Sequence, residues 1–195
     1  MRLFFHWAVL ILLSAAAASL QADGQLSNRR APGFSLPDSN LNYHDLGDYR
    51  GKIILVDFIK TSCPVCNSAH KIMETVRQKY PDKVTILSVV PANEDNTNTV
   101  RQFVGSNSVK TPVLFDCGQV MASYMKMIKP NSVPLPHLFL VDANGVIRND
   151  WEYVGGAPSV FDSLPALQKE VEALLKGNAG AAKPPAGAPK APAQK

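Results

Sequence analysis

Residues 56–70 read VDFIKTSCPVCNSAH, with Cys63 and Cys66 separated by two residues between the end of an apolar run and the start of a stretch with helical periodicity. Such a pair can be a redox couple, half of a metal site, or a permanent disulfide staple. A tetrahedral metal site needs two more ligands, and His6, His44, His70 and His137 show no paired ligand spacing. His70 follows Cys66 by four residues, which places it one helical turn further along. The flanks say more. KIILVDFI (52–59) and VTILSVV (84–90) are short β-branched runs that read as buried strands. Between them, NSAHKIMETVRQKY (67–80) sets Ala69, Ile72, Met73, Val76 and Tyr80 at helical spacing. The cysteines therefore stand at a strand-to-helix junction inside a strand–helix–strand unit.

Working outward, NTNTVRQFVGS (96–106) reads as a second helix and TPVLFD (111–116) as a strand. GQVMASYMKMI (118–128) reads as a third helix with Val120, Tyr124, Met127 and Ile128 on one side. LPHLFLVDANGVIRNDWEYVG (135–155) reads as two strands around an Asn144-Gly145 turn. SVFDSLPALQKEVEALLKG (159–177) fits a last helix stopped by Gly177. FSLPDSNLNYHDLGDYRG (34–51) predicts a hairpin ahead of this core, and no internal repeat is present. The ordering predicts an α/β fold, a central mixed β-sheet with helices on both faces and an N-terminal β-hairpin extension.

The ends have a different composition. MRLFFHWAVLILLSAAAASLQADG opens with one Arg, runs apolar from Phe4 to Leu13 and ends in small residues near Ala22, the order of a secretory signal peptide. Its apolar run is short for the roughly 20 residues of a spanning helix, so a retained membrane anchor is the alternative. Residues 178–195 are mostly Ala, Gly, Pro and Lys without apolar periodicity and predict a disordered tail. The expected organisation is a signal peptide at 1–22, a linker at 23–30, one domain at 31–177 and the tail. At 195 residues and 46% hydrophobic content the chain can build one real core. The net charge of +4 includes Arg2 and the tail lysines 183, 190 and 195, so the middle is near neutral and lacks the basic footprint of a nucleic-acid binder. Export would place Cys63 and Cys66 in an oxidising compartment, periplasmic or otherwise extracytoplasmic, where such a pair can cycle through a disulfide.

Three segments in order, APGFSLPDSNLNYHDLGDYRGKIILVDF (31–58), the Cys-x-x-Cys, and PHLFLVDANGVI (136–147), resemble thioredoxin-like proteins of the TlpA/ResA group of exported thiol-disulfide oxidoreductases, within the redoxin superfamily. The similarity covers roughly residues 31–175. It implies a thioredoxin-like fold and a catalytic set of Cys63, Cys66 and Asp57. A Cys63 that caps a helix starting at Pro64 faces free backbone N–H groups and the positive end of the helix dipole, which favours thiolate and makes it the attacking sulfur. Pro64 suits the first helical position, where no N–H is needed. In the commoner Cys-Gly-Pro-Cys the proline lies one place later; here Val65 and Cys66 both keep their N–H, which predicts a less reducing couple than thioredoxin's. Cys66 is the resolving thiol. Asp57, six residues before Cys63, matches the buried acid of thioredoxins that takes the proton of the second cysteine. The resemblance also selects Pro136 as a cis-proline, with the Leu135 backbone available to pair with a substrate strand, and puts Ser62, Pro64 and Val65 on the substrate surface.

Several positions depart from the pattern. Ser62 stands where the group usually has Trp, Lys60 adds positive charge near the thiol, and His137 replaces a small hydroxyl residue, either at the active site or as filler. A peroxidatic cysteine wants Pro seven and Thr or Ser three places before it; Val56 and Lys60 occupy those positions. Cys117 reads first as a packing residue at a strand end, with an intermolecular disulfide or a third redox thiol as alternatives. The reading is an extracytoplasmic thiol-disulfide oxidoreductase that reduces protein disulfides through Cys63 and Cys66. It is expected to use no bound cofactor and to be recharged by an upstream redox protein, a membrane-bound one among the options. The rivals are a thiol peroxidase and a non-enzymatic binding module in which the pair is a staple.

Overall fold

The structure, a computed structural model, describes residues 24–126, 133–155 and 159–177. The predicted signal peptide, the tail, and Met127 and Ile128 of the expected third helix lie outside these residues.

Six strands form one mixed sheet in the order β1-β8-β7-β4-β5-β6. Its centre is β4 (Ile53–Phe58), parallel to β5 (Val84–Pro91), which is parallel to β6 (Val113–Asp116). On its other edge β4 runs antiparallel to β7 (His137–Val141), followed by β8 (Val146–Glu152) and the short β1 (Arg29–Arg30). Every residue of β4, β5 and β7 is buried, as the continuous apolar runs predict for strands covered on both faces. α1 (Pro64–Lys79) returns the chain from β4 to β5, and α2 (Thr97–Asn107) returns it from β5 to β6.

The two faces carry separate cores. Ile53, Leu55, Val84, Ile86, Leu138 and Leu140 pack against Ala69, Met73 and Val76 of α1 and against Leu167 and Val171 of α4 (Leu164–Gly177). On the opposite face Ile54, Val56, Phe58, Val89 and Phe139 pack against Val120, Met121 and Tyr124 of α3 (Gln119–Met125). Phe58, Tyr124 and Phe139 meet there at tilted and edge-on angles, with centroids 5.1–5.9 Å apart, the geometry aromatic quadrupoles favour. The expected mixed sheet with helices on both faces is what the chain forms.

Local departures have local causes. α3 ends at Met125, where Lys126 turns left-handed (φ 53°) and its N–H bonds the Ala122 carbonyl. The last helix starts at Leu164, since Ser159 through its hydroxyl and carbonyl holds 161–163 in a turn. The expected 23–30 linker is not free over its described part. Gly24 N–H bonds the Asn149 side chain, Leu26 N–H and Ser27 Oγ bond Asp150, and Arg29–Arg30 pairs with β8. Its polar composition concealed these partners, which lie more than 110 residues away in the chain.

The hairpin of β2 (Ser35–Pro37) and β3 (Tyr43–Asp45) forms a separate two-stranded sheet followed by a 3₁₀ turn at Leu46–Tyr49. A buried polar chain locks it. His44 Nδ1 lies 2.8 Å from the Tyr49 hydroxyl and Nε2 lies 3.3 Å from Asp38 Oδ2, while Asn40 and Asn42 donate their N–H groups to Asp38 Oδ1. Burial alone would push the Asp38 carboxyl up, but these donors outweigh it and hold it below the usual carboxylate range. A carboxylate held low contributes stability above its unfolded pKa of about 3.9, and loses it as pH falls through the folded value. Asp38→Ala is therefore expected to destabilise the fold by about 2 kcal/mol at neutral pH. In denaturant titrations at several pH values the gap to wild type should narrow below about pH 4; a gap independent of pH would refute the role given to the carboxylate.

Candidate active site

The central strand β4 carries the chain to the edge of the sheet, where Ile59 N–H still bonds Val89 O and the backbone then turns. Cys63 N–H closes that turn on Lys60 O at 3.1 Å. Cys63 is the N-cap of α1, with Pro64 at the first helical position. Its Sγ accepts the Cys66 N–H at 3.2 Å, so the sulfur satisfies one of the free donors at a helix start. Both thiols are free; Cys63 is half-buried and Cys66 is fully buried. Cys66 packs with Ile59, Val90, Val100 and Phe103, and Cys63 lies at the edge of the same cluster. Burial pushes the Cys66 thiol up; contact with Cys63 and the charge of Asp57 add to this, and a backbone contact at Lys60 opposes it. One sulfur is thus open to a partner at a helix N-terminus, and the other is a protonated thiol behind it.

Asp57 stands on β4 opposite Ser88 of β5 and Leu138 of β7. Strand alternation puts it on the same face as Ile53 and Leu55, the face α1 covers. It is 0% exposed and neither carboxylate oxygen has a hydrogen-bond partner, so desolvation drives its pKa well above the usual range. An unpartnered carboxyl of this kind is held as the acid until a proton can be shed. His70, one turn beyond Cys66, is also fully buried; its ring meets Phe103 edge-on at 5.6 Å and neither nitrogen is hydrogen-bonded. Burial pushes its pKa down to about 4, with Glu74 pulling it up and Arg77 pushing it down, so the imidazole is neutral.

The Leu135–Pro136 peptide is cis. Leu135 is half-buried and packs against the cluster that holds Cys66. It also lines a cavity of about 440 Å³ together with Lys60, Pro91, Glu94, Cys117 and Val133. Ser62 and Pro64 are exposed and Val65 is half-buried, so all three reach the surface around Cys63. His137 is buried, stacks on Phe139 at 4.7 Å and has Nε2 3.5 Å from Asp150 Oδ2. It also lines a cavity with Val133, Pro134 and Asp150. Cys117 is exposed at the end of β6, which corrects its reading as a packing residue. The chain turns outward there because Gly118 takes a left-handed φ of 100° to start α3, while the neighbouring Asp116 points inward and accepts the Val120 and Met121 N–H groups.

One contact set was not anticipated. Asp95, on the β5–α2 connection, is buried and accepts the N–H and the hydroxyl of Thr61 and the hydroxyl of Thr99. Its neighbour Glu94 pairs with Lys60 at 2.5 Å. The signal was available locally, since Asp95 precedes an Asn96–Thr99 capping box, but nothing in the sequence connects that box to Thr61.

Known proteins resemble this chain in sequence and in fold. The chain is 28% identical over 154 residues to the thiol-disulfide oxidoreductase ResA of Bacillus cereus, the match covering 75% of this chain and 85% of that protein. It is 28% identical over 127 residues to the thioredoxin-like protein YneN of Bacillus subtilis, covering 65% and 71%. The fold is similar to that of a secreted Mycobacterium tuberculosis disulfide oxidoreductase homologous to E. coli DsbE, with a TM-score of 0.59 at 21% identity over 72% of this chain and 96% of that one. The model of the AhpC/TSA family matches residues 27–150, the span that runs from β1 through the cysteine pair and into β8, and the chain belongs to that family.

Proposed function

We propose that the protein is a thiol-disulfide oxidoreductase that reduces protein disulfides outside the cytoplasm. The observation that carries this reading is the asymmetry of the pair: an accessible Cys63 sulfur at a helix N-cap, with a buried Cys66 thiol behind it and the unpartnered carboxyl of Asp57 on the sheet face that α1 covers. Cys63 attacks one sulfur of a substrate disulfide, forming a mixed disulfide and releasing a substrate thiolate. Asp57 first sheds its own proton to solvent; the resulting carboxylate takes the Cys66 proton, and the Cys66 sulfur attacks Cys63 Sγ. The second substrate thiolate leaves and a Cys63–Cys66 disulfide remains. An upstream dithiol protein then returns two electrons and two protons. A substrate strand pairs along the Leu135 backbone beside Pro136, and Ser62, Pro64 and Val65 meet its side chains. The leader at 1–22 supports export.

Cys66→Ser is expected to accumulate the mixed disulfide with a model protein substrate, visible on non-reducing gels, while Cys63→Ser forms none. No mixed disulfide with either variant would point to a staple. Peroxide turnover with a sulfenate at Cys63 would favour the peroxidase reading instead.

Asp57→Asn should slow the resolving step about a hundredfold, read by rapid-quench analysis of mixed-disulfide decay. The same substitution tests the linkage. A carboxyl raised in the folded state binds its proton more tightly there than in the unfolded chain, so its burial costs stability increasingly as pH rises above about 3.9 toward the folded value. Asp57→Asn should therefore be more stable than wild type at neutral pH, with the gain vanishing near pH 4. No gain at neutral pH would contradict the buried acid.

Val65 keeps the N–H that the proline of Cys-Gly-Pro-Cys lacks, and together with the Cys66 N–H on the Cys63 sulfur it favours the reduced form. Equilibration with glutathione, with Cys117→Ala to isolate the pair, should give a potential above the roughly −270 mV of thioredoxin. A value at or below that figure would remove the role assigned to the donor.

A further inference from the structure

We propose that Asp95 is a positioning residue for the nucleophile, acting through Thr61 to hold the residues before Cys63 in the geometry of the reduced state. The inference rests on the oxidoreductase reading and adds a residue that lies on neither the cysteine motif nor the proline loop. Three donors converge on its carboxylate. Thr61 N–H reaches Oδ2 at 3.2 Å, the Thr61 hydroxyl reaches Oδ1, and the Thr99 hydroxyl reaches Oδ1 at 3.0 Å. Asp95 is only 5% exposed, so these bonds are shielded from competing water.

The carboxylate is itself anchored at both sides. Asp95 N–H and Glu94 N–H both bond the Pro91 carbonyl, fixing the connection to the end of β5. Asn96 begins α2 with its side chain on the Asn98 and Thr99 N–H groups and its own N–H on Thr99 Oγ. Thr99 thus belongs to both the helix cap and the clamp. The Asp95 carboxylate is as rigid as the β5–α2 junction, and it reaches across to the loop that leaves β4. The Lys60–Glu94 pair runs parallel to it, but both side chains are more than a third exposed and such pairs are screened by solvent, so the buried clamp carries the constraint.

What the clamp fixes is adjacent to the chemistry. Residues 60–62 form the turn closed by Cys63 N–H on Lys60 O, and that turn aims Cys63 Sγ at the Cys66 N–H. Ser62 is exposed, and the aromatic side chain that could brace this position by packing is missing. A hydrogen-bonded clamp one residue earlier supplies the brace from the backbone side. The turn it holds aims Cys63 Sγ at the Cys66 N–H, and a reduced sulfur accepts that bond more strongly than a disulfide sulfur, so the clamp favours the dithiol and pre-orients the attacking sulfur.

The test compares Thr61→Val, which keeps shape and removes the hydroxyl, Thr61→Ser, which restores it, and Asp95→Asn, in the full chain with Cys117→Ala. The readouts are the reduction potential of the Cys63/Cys66 pair, the rate of Cys63 alkylation by iodoacetamide, and thermal stability. Thr61→Val and Asp95→Asn are expected to disfavour the dithiol about tenfold, a potential about 30 mV lower, with alkylation slowed by a similar factor and Thr61→Ser restoring both. Potentials and rates equal to wild type in both variants, or a Thr61→Ser protein as impaired as Thr61→Val, would overturn the proposal and leave Asp95 a helix-cap residue. If the reference protein itself exchanged no disulfide with a substrate, the oxidoreductase reading would fail instead, since that result does not depend on Asp95.

Discussion

Everything at this site depends on β4 being buried on both faces and ending where a helix must begin. A strand with neighbours on each side and a layer above and below has its side chains committed to the core. Its only route to function is through its C-terminal end. There the chain makes a short turn and enters α1, whose first N–H groups have no partner within the helix. Cys63 meets this demand with its sulfur. The constraint also orders the other parts: β5 on one side brings the Asp95 connection to the same edge, and β7 on the other brings Pro136. Three separate segments meet at the carboxyl end of the central strands because the sheet order leaves them nowhere else to meet.

That arrangement places polar groups where the core would otherwise be apolar. Asp57 carries two unpartnered oxygens, and His70, Ser88 Oγ and Asn67 Oδ1 are likewise buried without hydrogen bonds. Each such group costs about 1–3 kcal/mol relative to a satisfied one, a large share of a typical folding free energy. Apolar side chains at 57, 70 and 88 would pack the α1 face more stably. The neutral state of His70 and the raised Asp57 limit the penalty, because the interior never holds the full charge of either group at rest. Cys66 lies on the same helix, protonated for the same reason. The chain tolerates local instability on this face and offsets it with the large apolar layers around Met73, Phe161 and Leu167.

The strands and helices were legible where periodicity and burial agree. KIILVDFI and VTILSVV could only be strands buried on both sides, and Ala69, Met73 and Val76 do face the sheet as their spacing requires. The cysteine junction was legible because Pro64 marks a helix start and Cys63 precedes it. What could not be read depends on partners distant in sequence. Residues 24–30 look like a connector until Asn149 and Asp150 are placed beside them. Cys117 looks like core because thiols usually are, but its exposure follows from the backbone reversal at Gly118. Thr61 and Asp95 are 34 residues apart and unremarkable alone; only the parallel pairing of β4 and β5 makes them neighbours.

The two aspartates beside the cysteines illustrate how environment rather than residue type divides the work. Asp57 has no donor and no water-exposed edge, so its stable state is the protonated one, the property the proposed mechanism uses. Asp95 is almost as deeply buried but accepts three hydrogen bonds. A carboxylate that accepts hydrogen bonds from donors on two separate segments is a good anchor. Exchanging the two environments would leave a site with the same residues and neither function. The proposed mechanism needs Asp57 left unsatisfied and Asp95 satisfied. The β4–β5 pairing achieves this by sending one aspartate inward under α1 and bringing the other, on the following connection, to the rim.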